Sequence, residues 1–287
     1  MVKRLTAPPL STRKVEHGAA PIVMVTAADY PSARMIGETD ADMILVGDSL
    51  AMVVLGYSDT LSVTIDVMAH HTAAVARANP KQLIVGDLPW MSYHVSIEDT
   101  LRNAAKLVRA GAGAVKLEGG SKRVPKIEAL IDAQIPVMGH IGLTPQSVHT
   151  MGGFQVQGKN ATAAHDLVAE AHALQDAGCF AVVLEGVPRE VGDMITRSVD
   201  IPTVGIPTVG IGAGPGCDGQ VLVLHDLLGM QDDFVPKFVR QYANLKAESI
   251  ASISAYVADV RSGAFPDDSE SYHIGGDEVE ALGLYGG

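Results

Sequence analysis

The chain has 287 residues, 47% apolar but only 5% aromatic, so it can bury a large core, built chiefly from Val, Ile, Leu, Met and Ala. Lys and Arg number 21 against 33 Asp and Glu; the formal charge of −12 repels nucleic-acid phosphates and anionic membrane surfaces. Cys179 and Cys217 are spaced neither as zinc ligands nor as a disulfide framework, and no apolar run approaches the length of a bilayer span. A soluble cytoplasmic protein is expected, with small-molecule substrates and neither nucleic acid nor membrane as a partner.

Short apolar runs alternate with helical patterns along the chain. The candidate strands are Pro21–Ala27, Met43–Gly47, Leu83–Gly86, Ala114–Leu117, Pro136–Gly139, Ala181–Leu184, a run within Ile201–Ile211, and Gln220–Leu224. Most are bounded by Gly or a charged residue, as buried parallel strands are. A helix is expected near Ile65–Arg77. Ser96 and Asp99 resemble a capping box ahead of Leu101–Ala110. Gly111 and Gly178 fit helix C-terminal positions that lead into the next strand. Eight strand–helix units imply a closed parallel sheet, so the fold class is α/β, a single (β/α)8 TIM barrel over residues 1–273. Six units would have implied a doubly wound sheet. Residues 274–287 are expected to form a loose tail.

Ile-Pro-Thr-Val-Gly at 201–205 is repeated at once as Ile206–Gly210. Five is odd and strand side chains alternate with period two, so both copies cannot present the same faces in one strand. The strand is expected at Ile206–Ile211, with the first copy extending the preceding loop.

Leu45-Val-Gly-Asp48-Ser49 and Ile84-Val-Gly-Asp87 share one design, an apolar strand ending in Gly-Asp. In a parallel barrel both aspartates arrive at the C-terminal face on neighbouring strands, where they repel unless a cation lies between them. All-oxygen ligands favour Mg²⁺ over zinc; the alternative is that each Asp caps a following helix. Lys116 and Glu118 are two apart and share a strand face. A buried ammonium needs an anion, either a substrate or Glu118 itself; Glu118 could bind a metal directly or through water. Glu185, alone after an apolar run, suits general-base work, or else starts a helix. His140 could touch substrate, orient a carboxylate or be structural. His70 and His71 point apart on a helix. The loop Gly212-Ala-Gly-Pro-Gly216 reads as a tight turn rather than an anion cradle, and His225-Asp226 is expected at the rim.

Together, Leu45-Val-Gly-Asp-Ser49, Asp87-Leu-Pro89, Val115-Lys-Leu-Glu-Gly-Gly120, Gly139-His-Ile-Gly-Leu-Thr-Pro-Gln-Ser147, Gly152-Gly-Phe154 with Val156-Gln-Gly158, and Gly210-Ile-Gly-Ala-Gly214 with Asp218-Gly-Gln220 resemble the ketopantoate hydroxymethyltransferase family from about Leu5 to His273. The resemblance implies a Mg²⁺-dependent barrel enzyme with 5,10-methylenetetrahydrofolate as co-substrate. It implies hydroxymethyl transfer to 3-methyl-2-oxobutanoate, giving 2-dehydropantoate and tetrahydrofolate in pantothenate biosynthesis. By the same resemblance Asp48, Asp87 and Glu118 hold the metal. Ser49 and Lys116, with the two aspartates, bind the oxo acid, Glu185 accepts the proton, and the assembly is a homodecamer. Two departures stand out: Thr26-Ala-Ala-Asp29 where the family commonly reads Thr-Ala-Tyr-Asp, and the second Ile-Pro-Thr-Val-Gly copy. The alternatives are a phosphoenolpyruvate/isocitrate-lyase-like lyase or mutase, and a non-catalytic barrel impaired by the duplication.

Overall fold

A computed structural model describes residues 3–199, 208–211, 213–231, 239–275, 277–278 and 282. Eight parallel strands close into a barrel in sequence order: β1 Ile22–Thr26, β2 Met43–Val46, β3 Leu83–Asp87, β4 Ala114–Lys116, β5 Val137–Gly142, β6 Ala181–Glu185, β7 Thr208–Ile211 and β8 Gly219–Leu222. The ring closes where Ile22 of β1 lies level with Gly219 of β8, and Val25 with Leu222. The expected (β/α)8 barrel is therefore the fold. The seventh strand falls on the second copy of the repeat; residues 201–207 lie outside the described residues.

The longer helices are α1 Tyr30–Gly37, α2 Ile65–Arg77, α3 Ile97–Ala110, α4 Val124–Asp132, α5 Ala161–Asp176, α6 Arg189–Ser198 and α7 Leu245–Ser262. Side-chain oxygens start several of them. Asp29 accepts from the Ser32 amide, Ser96 from Asp99 and Asn160 from Ala163, each filling an otherwise unpaired donor of the first turn. Gly111 ends α3 at φ +111°, a left-handed position that only glycine takes at little cost, and the chain passes at once into β4.

Alternation sorts the core into two clusters. Ile44, Val46, Ile84, Val115, Val137 and Val182 point outward and pack beneath Leu107, Leu130 and Leu174 of the helices. Met24, Met43, Leu45, Leu83, Val85, Ala114, Met138, Ala181, Val183 and Val221 fill the barrel itself, and the short helix Ala7–Leu10 joins them with Ala7 and Leu10. Truncating a side chain such as Leu107, wholly buried, would cost about 2–5 kcal/mol.

The fifth strand is longer than its sequence suggested. His140, Ile141 and Gly142 continue the pairing with Val183, Leu184 and Glu185 of β6. Gly142 has φ +91°, and a Cβ there would lie 2.3 Å from the Glu185 carbonyl oxygen. The glycine that looks like a loop residue is thus what lets two strands approach beside a key carboxylate. Helix α7 differs from the rest, with no buried residue. Among the described residues no helix is long and apolar enough to cross a membrane.

Candidate active site

The inward face of the barrel changes character along its axis. Leu83 and Val85 are followed in phase by Asp87, Ala114 by Lys116 and then Glu118, Met138 by His140, and Ala181 and Val183 by Glu185. Period-two alternation thus converts an apolar interior into a ring of charge at the C-terminal ends of the strands. Asp48 lies two residues past β2, where the chain turns, and its backbone N–H donates to Asp87 Oδ2 at 3.2 Å. Neither aspartate caps a helix: Ser49 is the N-cap of Leu50–Val53 and makes no side-chain cap bond.

Lys116 is the centre of the ring. Its ammonium lies 2.9 Å from Asp87 Oδ1, 4.0 Å from Glu118 Oε1 and 3.3 Å from His140 Nδ1, with the side chain 5% exposed. Burial alone would lower its affinity for the proton, but Asp87, Glu118 and Asp48 outweigh it and hold the amine above its ordinary value. His140 spans two carboxylates, with Nδ1 3.5 Å from Glu118 Oε1 and Nε2 3.2 Å from Glu185 Oε2. Burial and Lys116 disfavour its charge, yet the two glutamates raise it to about 9, so it is an imidazolium at neutral pH. Glu118 is pulled the other way. Burial would raise it, while His140, Lys116 and the Gln146 amide bring it below the usual carboxylate range. Asp48 is held well above that range by burial, then by the charges of Asp87 and Glu118. Burial also raises Asp87, against the pull of Lys116.

Four carboxylates (48, 87, 118, 185) face two cations (116, 140). Asp87 Oδ1 and Glu118 Oε1 are buried without an aligned hydrogen bond. A surplus of negative charge with unsatisfied oxygen atoms suits a hard divalent cation. As they stand, no three His, Cys, Asp or Glu side chains among the described residues converge on one point as metal ligands, and Lys116 pairs with Asp87 instead.

A family model described as ketopantoate hydroxymethyltransferase matches residues 4–268. The chain belongs to the ketopantoate hydroxymethyltransferase family. It is similar to the 3-methyl-2-oxobutanoate hydroxymethyltransferase of Moorella thermoacetica, 53% identical over 94% of this chain and 98% of the relative. The enzyme of that name from Clostridium botulinum is 51% identical over 92% and 94%, and that from Syntrophobacter fumaroxidans 48% over 100% and 98%. Among solved structures, 2,3-dimethylmalate lyase, a PEP mutase/isocitrate lyase superfamily member, superposes with TM-score 0.59 at 19% identity, covering 98% of this chain and 96% of that one. Phosphonopyruvate hydrolase in complex with oxalate and Mg²⁺ gives 0.57 at 13%, with the same coverage. These two share the fold; the family match sets this hydroxymethyltransferase-family chain apart from the lyase and mutase reading.

The family chain thus brings Asp48, Asp87, Lys116, Glu118, His140 and Glu185 to one end of the barrel. Ser49 stands beside them, lining a small cavity with Ala28, Gly47 and His225, and its hydroxyl bonds to no described residue. Others fall elsewhere. His71 binds the Ala28 carbonyl at 2.6 Å. Gly214 and Gly216 are tight-approach positions, since a Cβ on either would lie 2.6 Å from Arg189 Cβ or 2.9 Å from Asp193 Cβ. Asp218 sits at the opposite end of the barrel and pairs with Lys14 at 2.7 Å.

Two residues at the candidate site, Gln146 and Tyr93, escape sequence reasoning. The Gln146 backbone N–H donates to Glu118 Oε2 at 3.0 Å, and its side-chain amide donates to Asp48 Oδ2 at 2.8 Å and to the Leu88 carbonyl at 3.0 Å. Its Oε1 accepts from the buried Tyr93 hydroxyl at 2.6 Å. One glutamine therefore aligns two acids on different strands. The Thr-Pro-Gln string carried that signal only through the family resemblance.

Proposed function

We propose that the chain transfers a hydroxymethyl group from 5,10-methylenetetrahydrofolate to 3-methyl-2-oxobutanoate, giving 2-dehydropantoate and tetrahydrofolate in pantothenate biosynthesis. The observation that carries it is the line Glu118–His140–Glu185 beside Lys116 and the two aspartates. Asp48 and Asp87 would hold a divalent cation, Mg²⁺ by their hard oxygen chemistry, with Glu118 as third ligand directly or through water. When bound, the cation supplies Lewis-acid polarisation of the oxo acid's keto and carboxylate oxygens. Lys116 adds fixed positive charge at the same oxygens, and Ser49 offers a free hydroxyl for the substrate.

Glu185, 19% exposed at the mouth, accepts the proton of substrate C3. The C–H electron pair passes into the enolate, whose carbon attacks the donor methylene carbon as its bond to N10 breaks, N10 leaving with that electron pair and taking up a proton. Water then displaces the remaining donor nitrogen, which leaves with the C–N electron pair and a proton. His140 Nε2 lies 3.2 Å from Glu185 Oε2 without an aligned hydrogen bond and acts on that carboxylate through its charge. Lys116 and His140 answer the substrate carboxylate in a chain that is otherwise strongly acidic.

We also propose a cytoplasmic homo-oligomer, with a decamer expected. Helix α7 supports self-association: Ile250, Ile253, Tyr256 and Val260 are all exposed along one stripe, and Val23 on the outer face of β1 is uncovered. Such a helix gains stability by burying its apolar side in another copy. The function is checked by incubating the protein with Mg²⁺, 3-methyl-2-oxobutanoate and 5,10-methylenetetrahydrofolate. Formation of 2-dehydropantoate is expected; cleavage of an oxo acid with no donor consumed would sink the assignment in favour of a lyase.

A further inference from the structure

The loop after β3 carries features that the chemistry at C3 leaves unused. It runs Pro89-Trp90-Met91-Ser92 directly from Asp87 and Leu88. Met91 has φ +65°, a left-handed conformation unfavourable for any side chain with a Cβ. The turn is held in that shape. The Ser92 amide and hydroxyl both donate to the Pro89 carbonyl, at 3.1 and 2.7 Å, and Asn103 donates to the Ser92 carbonyl at 2.7 Å. The result is that Trp90 and Met91 stand 42% and 44% exposed beside the metal-binding acids. The strained turn at Met91 thus leaves a large part of the neighbouring indole in reach of a ligand.

The next loop supplies charge. Arg123 donates from Nε to the Glu118 carbonyl at 3.2 Å and places its guanidinium 5.2 Å from the centre of the Tyr93 ring, locking the loops after β3 and β4 together. The His94 ring lies tilted against Tyr93, centroids 4.3 Å apart. Lys122 lies close enough to Glu170 to stabilise that carboxylate's charge, Lys126 lies close enough to act on His94, and the first turn of α4 contains no acid. Burial and the charges of Arg123 and Lys126 bring His94 down to about 4, so it is a neutral ring at the edge of a cationic patch. Arg123, Lys122 and Lys126 thus gather three cations within five residues of a chain of charge −12.

We propose that this surface is the seat of the one-carbon donor, with the reduced pteridine and its benzoyl ring against Trp90 and Met91 and the glutamyl carboxylates on Lys122 and Lys126. The inference rests on the proposed function and deepens it. The donor is a molecule with a flat aromatic head and an anionic tail, and the two loops offer an exposed aromatic–thioether platform and two lysines. The platform begins two residues after Leu88, so a donor held there can present its methylene carbon to the substrate at Asp48 and Asp87. The duplicated segment near β7 takes no part.

The full chain with Mg²⁺ is assayed with 5,10-methylenetetrahydropteroyl donors bearing one and three glutamates. Each variant's rate is divided by its own donor-free C3 deuterium exchange, which reports how much of the oxo-acid site is intact. Trp90→Leu is expected to raise KM for both donors about tenfold, the size of one lost stacking partner. Lys122→Ala/Lys126→Ala is expected to raise KM for the triglutamate about tenfold, an effect that shrinks in high salt, and to leave KM for the oxo acid alone. Unchanged donor KM in Trp90→Leu, or a triglutamate preference indifferent to the lysines, overturns the inference. Absent exchange in the wild type overturns the proposed function instead. Trp90 is the chain's one tryptophan, so saturable fluorescence quenching by tetrahydropteroyltriglutamate reads binding without turnover; its absence also overturns the inference.

Discussion

The barrel holds a buried ammonium at each end, and the two are built differently. At the N-terminal end Lys14 donates to Asp218 Oδ2 and to the Thr196 carbonyl, both at 2.7 Å, while Asp218 Oδ1 accepts from the Val15 amide at 2.9 Å. One cation meets one anion and the charged atoms have partners, so this pair ties the N-terminal segment to β8. At the C-terminal end Lys116 sits among Asp87, Glu118 and His140, with carboxylates in excess and buried oxygens lacking aligned hydrogen bonds. A buried pair that balances is structural; a buried cluster that does not balance is waiting for a ligand.

The largest effect expected concerns the proposed proton acceptor. Glu185→Gln should leave oxo-acid binding in place yet slow C3–H exchange into deuterated water by about 10²–10⁴-fold. Exchange at the wild-type rate would remove Glu185 from the role and weaken the contrast between the ends.

Next come stability effects of opposite sense. Lys14→Met strands the buried Asp218 and should cost about 3–5 kcal/mol in urea unfolding. Asp48→Asn removes a charge held at a cost, so the metal-free variant should be at least as stable as the metal-free wild type. The wild type should also gain stability with Mg²⁺, by about 2.7 kcal/mol at a hundred times its Kd, and the variant little. A loss of stability in metal-free Asp48→Asn as large as in Lys14→Met would show that both ends are ordinary structural pairs.

A smaller effect sharpens the picture of the C-terminal end. Gln146→Leu keeps every proposed ligand but frees Asp48 and the Leu88 carbonyl, and Mg²⁺ affinity measured by calorimetry should fall about 10–100-fold. No change would mean that the acids are oriented without it.

Much of this was legible before any coordinates. The strands ended within a few residues of where apolar runs met Gly or charge, because burial between helices and barrel interior is a local demand on each run. The Gly-Asp pairs, Lys116, Glu118 and Glu185 were readable for the same reason: each breaks an apolar alternation at the point where a strand leaves the core. The end of β5 was not readable, since Gly139-His-Ile-Gly142 resembles a loop until Glu185 of β6 is seen against it.

The sequence by itself determined the period-two inward face and hence which side chains point into the barrel, since alternation is a property of the extended backbone. Only the tertiary structure decided what those side chains meet. The Gln146 bond to Asp48 spans 98 residues, and the Lys116 contact with His140 spans 24. The charge balance that separates a structural pair from an active site is a sum over such distant neighbours. That sum exists only after the barrel has closed.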